Sequence, residues 1–580
     1  MSRNHQPKKW RVLGSNAEAE ELLRSKLGVH PVVARLLVQR GMTTPEAADL
    51  FLNPALDRMH DPFLLPDAEK ACERIKQALA ANQKIRIHGD YDGDGVTSAA
   101  LWTRCLRALG ADVDVFVPHR RRHGYDMRMG FIEEARDAGV RLIVTTDCGI
   151  RRCDEVEKAR ALGIDVIVTD HHAPNADGTL PNAVAVVNPQ RRDSRYPFPH
   201  LAGVGVAFKL CEALTLHLGH KAAAFRKSFL DLAAIGTITD VMPLIDENRI
   251  IVRHGLEALR YTKKPGLRAL LDASGFSDRA LTVGDVGFGI GPRLNAAGRI
   301  DETQFALDIL MTKEAGEASS LARKLNELNS QRKEDQKRVQ EEAFAQVAQQ
   351  DVADVRCLVI CGENWSSGIV GLVAGKIVQQ LHRPCVVIAM DDSGHGKGSA
   401  RSIPGFHMLA AIDACKALLT EYGGHALAAG LSITKDNVSE FAHQMNKLAA
   451  SALSDEDCVA MLEPAMVIDP VELNFSLLEQ LDRLAPFGNG NPLPLFVSRG
   501  VAIQEVLTMG KEREHLKFRL GIDGLNRWGT IEAPWFYRGA LAQSLQSGTS
   551  MDFCFQPNIN SFNGKRSIQF VVEDVNASEW

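Results

Sequence analysis

Apolar residues are distributed along this chain in distinct textures. Between about residues 65 and 240, short unbroken runs such as Lys84-Ile-Arg-Ile87, Arg141-Leu-Ile-Val144 and Ile164-Asp-Val-Ile-Val168 alternate with segments 97–109, 131–138 and 153–162, whose apolar positions recur every three or four residues. Continuous apolar strands separated by amphipathic helices predict a parallel sheet covered on both faces. The strands are expected near 84–88, 112–117, 141–146, 164–169 and 183–187. Residues 201–260 turn helical. Residues 1–55 also read as helical, with Thr43-Thr-Pro-Glu46 a good helix start.

Further along, 314–349 is one long helical pattern, and its middle, 329–338, has no apolar residue. A helix polar all round over that length bridges domains. A second α/β unit follows over 355–455. After 456 the texture changes again: the Pro/Gly/Asn hinge Ala485-Pro-Phe-Gly-Asn-Gly-Asn-Pro-Leu-Pro494 precedes short alternating strands such as His515-Leu-Lys-Phe-Arg-Leu520. This predicts a small β-barrel of OB type, a fold with a single-strand binding face.

At 580 residues the chain is too long for one core. An apolar content of 45% with 24% charged residues is ordinary globular material. No run approaches the eighteen or so apolar residues of a membrane span, and the first ten residues carry no apolar signal core. The eleven cysteines include no Cys-x-x-Cys, so reduced thiols, a cytoplasmic location and no membrane partner are expected. A net charge of −5 argues against an indiscriminate nucleic-acid-binding coat but leaves room for a local basic groove. The best candidate is His119-Arg-Arg-Arg-His-Gly-Tyr125, on the rim that follows the 112–117 strand. Arg323, Lys324, Arg332, Lys333, Lys337 and Arg338 of the long helix could track a phosphate backbone as well, but salt-bridged solvation with Glu334 and Asp335 explains them better.

Three of the expected strand ends carry the chemistry. One delivers His88-Gly-Asp-Tyr-Asp-Gly-Asp-Gly95, another Asp147, a third Asp170-His-His172. In an open α/β sheet such ends converge on one crevice. That many carboxylates cannot be buried together unless cations neutralise them, and a carboxylate-rich set with some imidazole suits Mn²⁺ or Mg²⁺. Taken singly, each piece has a plainer reading: Asp-x-Asp-Gly is a common turn, and Asp240 before a Pro turn is another. An EF-hand loop is excluded because no Glu stands twelfth from Asp90. The glycine-rich strings Gly394-His-Gly-Lys-Gly-Ser-Ala-Arg401 and Gly423-Gly-His-Ala426 can bind phosphate through backbone amides and guanidinium, but neither is a Walker loop.

His88-x-x-x-Asp92-x-Asp94, Asp147, Asp170-His171-His172 and Asp240 resemble the four motifs of the DHH phosphoesterase superfamily. Gly423-Gly-His-Ala-Leu-Ala-Ala-Gly430 is similar to the signature of its associated second domain. The strings Gly291-Pro-Arg-Leu-Asn-Ala-Ala-Gly-Arg299, Gly398-Ser-Ala-Arg-Ser402 and Pro486-Phe-Gly-Asn-Gly-Asn-Pro492, together with the β tail, resemble the single-strand-specific 5′→3′ DNA exonucleases of that superfamily. The resemblance runs from about residue 60 to the end.

With the patterning, it makes an α/β multidomain chain: an N-terminal helical segment (1–60), a parallel-sheet catalytic domain (61–305), a connecting helix (306–352), a second α/β associated domain (353–455) and an OB-like nucleic-acid-binding barrel (456–580). It also implies two-metal phosphodiester hydrolysis with two Mn²⁺ or Mg²⁺ ions, single-stranded DNA as substrate and 5′-mononucleotides as products. Asp147 is then the bridging carboxylate, His88 and Asp92 hold one metal, and Asp94, His171 and Asp240 the other. Asp90 and Asp170 orient these ligands from behind, and His172 contacts the scissile phosphate. Arg120, Tyr125, Arg293, Asn295, Arg299, Ser399, Arg401 and His425 fall to the substrate. A monomer is expected, with a helicase and a single-strand-binding protein as candidate partners. Two rival readings remain: a superfamily enzyme acting on oligoribonucleotides, cyclic dinucleotides or pyrophosphate, which leaves the β tail and long helix unexplained, and a non-catalytic DNA-binding relative, which should lack some of the acids.

Overall fold

The computed structural model describes residues 8–118, 126–277, 279–300, 303–350, 355–522, 529–562 and 564–578. The chain forms two compact units: Asn53–Lys333 with Pro486–Pro492, and Met1–Leu52 with Glu334–Ala485 and Leu493–Trp580.

The first unit is built on five parallel strands, β1 (Ile85–His88), β2 (Val113–Phe116), β3 (Leu142–Thr145), β4 (Asp165–Thr169) and β5 (Ala185–Val187), in the order β2-β1-β3-β4-β5. Both faces are covered, as a parallel sheet requires. Ile85, Ile87, Leu142, Val144 and Ile167 pack with Trp102 and Phe208 on one side, while Ile143, Val166 and Val168 pack with Ile132, Val156 and Ala159 on the other. The order reverses between β1 and β3, which opens a crevice at their carboxyl ends.

Three helices border that crevice: α1 (Gly93–Ala108), α2 (Gly203–His217) and α3 (Ala222–Thr239). The sequence places the start of α1 near Thr97, but it begins four residues earlier. Asp92 caps it, accepting from the amides of Asp94 (2.9 Å) and Gly95 (3.0 Å). A fourth helix, α4 (Gly291–Ile300), follows a five-residue π-turn, Val286–Ile290. The Pro486–Pro492 segment, which the sequence reading gives to the tail domain, is bound to this unit: the Leu244 amide donates to Asn489 O (2.7 Å) and Asn489 Nδ2 to Val241 O (2.8 Å).

In the long helix α5 (Ala315–Ala348), the division between units falls after Lys333. In the second unit Val339, Ala343 and Val347 pack against a five-stranded sheet, comprising β6 (Leu358–Glu363), β7 (Cys385–Met390), β8 (His395–Arg401), β9 (Leu419–Gly424) and β10 (Ala428–Thr434). The barrel comprises β11 (Phe496–Met509), β12 (His515–Gly521), β13 (Thr530–Trp535), β14 (Ser550–Phe562) and β15 (Lys565–Ala577), closed by pairing of β11 with β14. The N-terminal segment is not helical throughout: strand Lys9–Trp10 pairs in parallel with Met461–Leu462, and Trp10 Nε1 donates to Asp574 Oδ2 (2.9 Å). Among the described residues no helix is long and apolar enough to cross a membrane.

Candidate metal centre

β1, β3 and β4 deliver His88, Asp147 and the Asp170-His171-His172 triplet to one crevice because they are neighbours with matched ends; His88 pairs in register with Thr145. Asp94 comes from the first turn of α1, and Asp240 is the residue that ends α3. The donor atoms gather in three groups, each closing within 4.8 Å: Asp94, His171 and Asp240; Asp90, Asp92 and Asp147; and Asp147, His171 and His172. The first group brings together the three residues expected on one metal. In the second, Asp90 stands beside Asp92, although the sequence reading puts it behind the ligands. His88 falls in none of the three, yet its Nε2 is buried without a hydrogen-bond partner, as are Asp90 Oδ1 and Asp147 Oδ1.

Several backbone features make this crowding sterically possible. Asp147 adopts φ +63°, a left-handed conformation that Asp tolerates better than most residues. Its neighbour across the crevice is Gly203, at the start of α2, where a Cβ would lie 2.6 Å from the Asp147 Cβ. Gly203 and Val204 point their amides at Asp94, at 2.7 Å to Oδ2 and 2.8 Å to Oδ1. The amino end of α2 therefore holds a carboxylate in place, the usual preference of a helix N-terminus. Nothing in the sequence announces this clamp beyond the glycine spacing of Ala202-Gly-Val-Gly205.

Electrostatics divide the residues by role. Burial and then the charge of Asp92 push Asp94 up to about 7; burial with Asp94 and Asp92 pushes Asp240 up to about 9. Asp147 and Asp90 are raised well above the carboxylate range by burial and neighbouring acids. Burial lowers His88 to about 3 and His171 to about 4, so both imidazoles are neutral and able to coordinate. Asp170 behaves oppositely. Burial would raise it, but it binds His172 Nδ1 (2.8 Å) and accepts from the amides of Ile150, His171 and His172. It is held at about 2, and its hydrogen bond outweighs burial of His172, which is raised to about 9. Asp170 thus orients His172, while the protonation-prone acids form a set whose repulsion a hard divalent cation would relieve.

The other expected site residues are dispersed. Asn295 Oδ1 accepts from the Gly93 amide (2.7 Å) and so braces the motif loop. Arg293 bonds Gly289 O, Ala273 O and Asn326 Oδ1, and Arg299 lies in α4. Arg120 and Tyr125 lie outside the described residues. In the second unit, Arg401 Nη1 donates to Ser399 Oγ (3.1 Å) and Ala400 O (2.8 Å). Both side chains abut the first turn of α6 (Val370–Leu381), where a Cβ on Gly371 would lie 2.8 Å from Ser399 Oγ. His425 is exposed in the turn between β9 and β10. One feature that the sequence reading missed is Phe288. It is 85% exposed on the π-turn before α4, and that turn is anchored by Gly291, whose Cβ position lies 2.5 Å from Thr239 Cγ2, next to Asp240.

Family comparisons match residues 84–237 to the N-terminal domain of the DHH family, 353–451 to the DHHA1 domain and 465–574 to the RecJ OB domain. The chain is 36% identical over 573 residues to the single-stranded-DNA-specific exonuclease RecJ of Bacillus subtilis, covering 99% of this chain and 71% of that relative. It is 33% identical over 583 residues to the Escherichia coli exonuclease of the same name, with 96% and 98% covered. The chain belongs to the RecJ family. Thermus thermophilus RecJ crystallised with Mn²⁺ superposes on this RecJ-family fold with a TM-score of 0.84 at 30% identity, covering 99% of this chain and 80% of that one. Its Mg²⁺ complex gives 0.79 at 29% identity, with 99% and 79% covered.

Proposed function

We propose that this protein is a metal-dependent exonuclease that degrades single-stranded DNA from the 5′ end and releases 5′-mononucleotides. The observation that carries the reading is the set of three donor groups, in which Asp147 and His171 each belong to two and so link them into one cluster, in a chain whose similarity to exonucleases named for single-stranded DNA spans nearly its whole length.

Asp90, Asp92, Asp94, Asp147, His88, His171 and Asp240 would hold two Mn²⁺ or Mg²⁺ ions, which supply activation of water and charge stabilisation at the phosphate. The protein's own groups do the rest. The amides of Gly203 and Val204 keep Asp94 from turning away. Asp170 engages Nδ1 of His172, leaving Nε2 to donate to a phosphate oxygen while the ring stays charged near neutral pH. Ser399, Arg401 and the amino end of α6 make an anion pocket suited to a 5′-phosphate, and the OB-like barrel grips the strand. A helicase that opens duplex DNA, or a single-strand-binding protein that presents the strand, would supply substrate in the cytoplasm.

The test is product analysis. With Mn²⁺, 5′-labelled single-stranded DNA should release labelled mononucleotide from the first turnover, whereas 3′-labelled DNA should release label last. Preference for short RNA or a cyclic dinucleotide would overturn the reading in favour of a small-substrate enzyme, and binding without cleavage would favour a non-catalytic relative.

A further inference from the structure

Away from the metal centre, the first unit contains a cleft of about 1320 Å³, large for a small-molecule site. Helices and their connections form its walls: the carboxyl end of α1, the amino half of α3, the end of helix Asp246–Arg260, the start of helix Pro265–Ala273 and the residues after helix Thr303–Met311. Arg104 stands ten residues beyond Asp94 in α1, roughly 15 Å along the axis, so a phosphate in the cleft is not a phosphate at the metals.

The lining is cationic in a chain that is acidic overall. Seven Lys or Arg residues face three acids. One of those acids, Asp231, is already bound by Lys264 (2.7 Å) and Thr262 (2.9 Å). Lys227, Lys263 and Lys313 are exposed and make no ion pair among the described residues. Arg104 Nε donates to Leu310 O (2.8 Å), but its Nη2 is buried without a hydrogen-bond partner, an arrangement that an added acceptor would relieve. Beneath this rim lie Leu56, Phe229 and Met311, and Tyr261, 64% exposed, stands at the edge with the Arg260 guanidinium 5.1 Å from its ring centre.

We propose that this cleft is a second, non-catalytic site for a free nucleotide carrying more than one phosphate. Lysines contributed by separate elements suit a phosphate chain, and an apolar floor with one accessible aromatic ring suits a single base. A track for single-stranded DNA would instead interleave several aromatic rings along an open groove. An acidic peptide adding as a strand would need a free sheet edge, and the lining contains no strand.

Calorimetry on the full chain in EDTA tests the assignment, because chelation leaves the metal centre unable to bind phosphate through cations. ATP should bind once per chain. Lys263→Glu combined with Lys313→Glu should weaken it at least tenfold without lowering the melting temperature, whereas Asp147→Ala should leave ATP binding unchanged. Tyr261→Ala should weaken ATP severalfold but leave inorganic tripolyphosphate unaffected. Absence of saturable ATP binding, or binding indifferent to the lysine substitutions, would overturn the proposal. So would equal loss of ATP and tripolyphosphate in Tyr261→Ala, or a lysine variant that loses single-stranded DNA binding and keeps ATP.

Discussion

A methyl group on Gly203 would lie 2.6 Å from the Asp147 Cβ, so the first residue of α2 and the expected bridging carboxylate leave no room for a side chain between them. Gly203→Ala must push Asp147 or the amino end of α2 away, and overpacking of this kind costs about 1–3 kcal/mol. The variant should fold but lose at least tenfold in kcat/KM and bind Mn²⁺ more weakly in the same proportion. Calorimetric Mn²⁺ titration and single-stranded DNA turnover check this; unchanged metal affinity would mean that the centre does not need the close approach.

The raised carboxyls predict how the metal-free protein responds to pH. In the unfolded chain these acids ionise near pH 4, but in the fold Asp94 is raised to about 7 and Asp240 to about 9. Between those limits the folded state binds more protons, so stability must fall as pH rises. Their contribution is complete below about pH 4 and is lost as the folded-state values are passed. In EDTA the melting temperature should therefore decline from mildly acidic to alkaline pH, and Asp240→Asn should flatten the decline. Saturating Mn²⁺ at a hundredfold excess over its Kd should restore about 2.7 kcal/mol, an increment that Asp147→Asn should largely lose. A melting temperature that rises over this range would contradict the shifted carboxyls.

The pocket made by Ser399, Arg401 and the start of α6 should read the 5′ terminus. Arg401→Ala should reduce kcat/KM on 5′-phosphorylated strands by roughly 10- to 150-fold, the equivalent of a lost charge-assisted bond worth about 1.5–3 kcal/mol, and do less on 5′-hydroxyl strands. Equal losses on both would reassign Arg401 to general backbone binding.

Phe288, 85% exposed, projects from a turn fixed at Gly291 against Thr239, the residue before Asp240, so the ring is presented at low entropic cost. Base stacking on an exposed aromatic is worth about 1–3 kcal/mol. Phe288→Ala should raise KM for single-stranded DNA about fivefold or more, whereas Phe288→Trp should preserve it. Steady-state kinetics on abasic and intact oligonucleotides distinguishes stacking from a structural effect, because an abasic strand should not notice the substitution.

Much of this was visible in the sequence because strand ends are local: an unbroken apolar run followed by Asp or His announces its own position, as at His88, Asp147 and Asp170. What escaped depends on distance or on backbone shape. The glycines at 93 and 95 look like a turn, yet α1 starts there. A Cβ at Gly95 would lie 2.5 Å from Asp90 O, so glycine serves close packing at that position and not helix termination. The Asp94 clamp joins residues more than a hundred positions apart, and the bracing of Gly93 by Asn295 spans still more, so no periodicity reports either. The Pro486–Pro492 segment reads as a linker by composition, and only its bonds to Val241 and Leu244 reveal where it belongs.

The pairing of Lys9–Trp10 with Met461–Leu462, and of Trp10 with Asp574, bears on synthesis. Lys9 and Trp10 wait for partners that are synthesised roughly 450 to 564 residues later, about twenty seconds to two minutes at 5–20 residues per second. The intervening unit is detained as well, since its Leu244 amide is satisfied by Asn489. An interrupted translation product would therefore carry the metal-binding acids without the segments that complete either unit, and DNA would meet a finished nuclease or an incomplete one, with little in between.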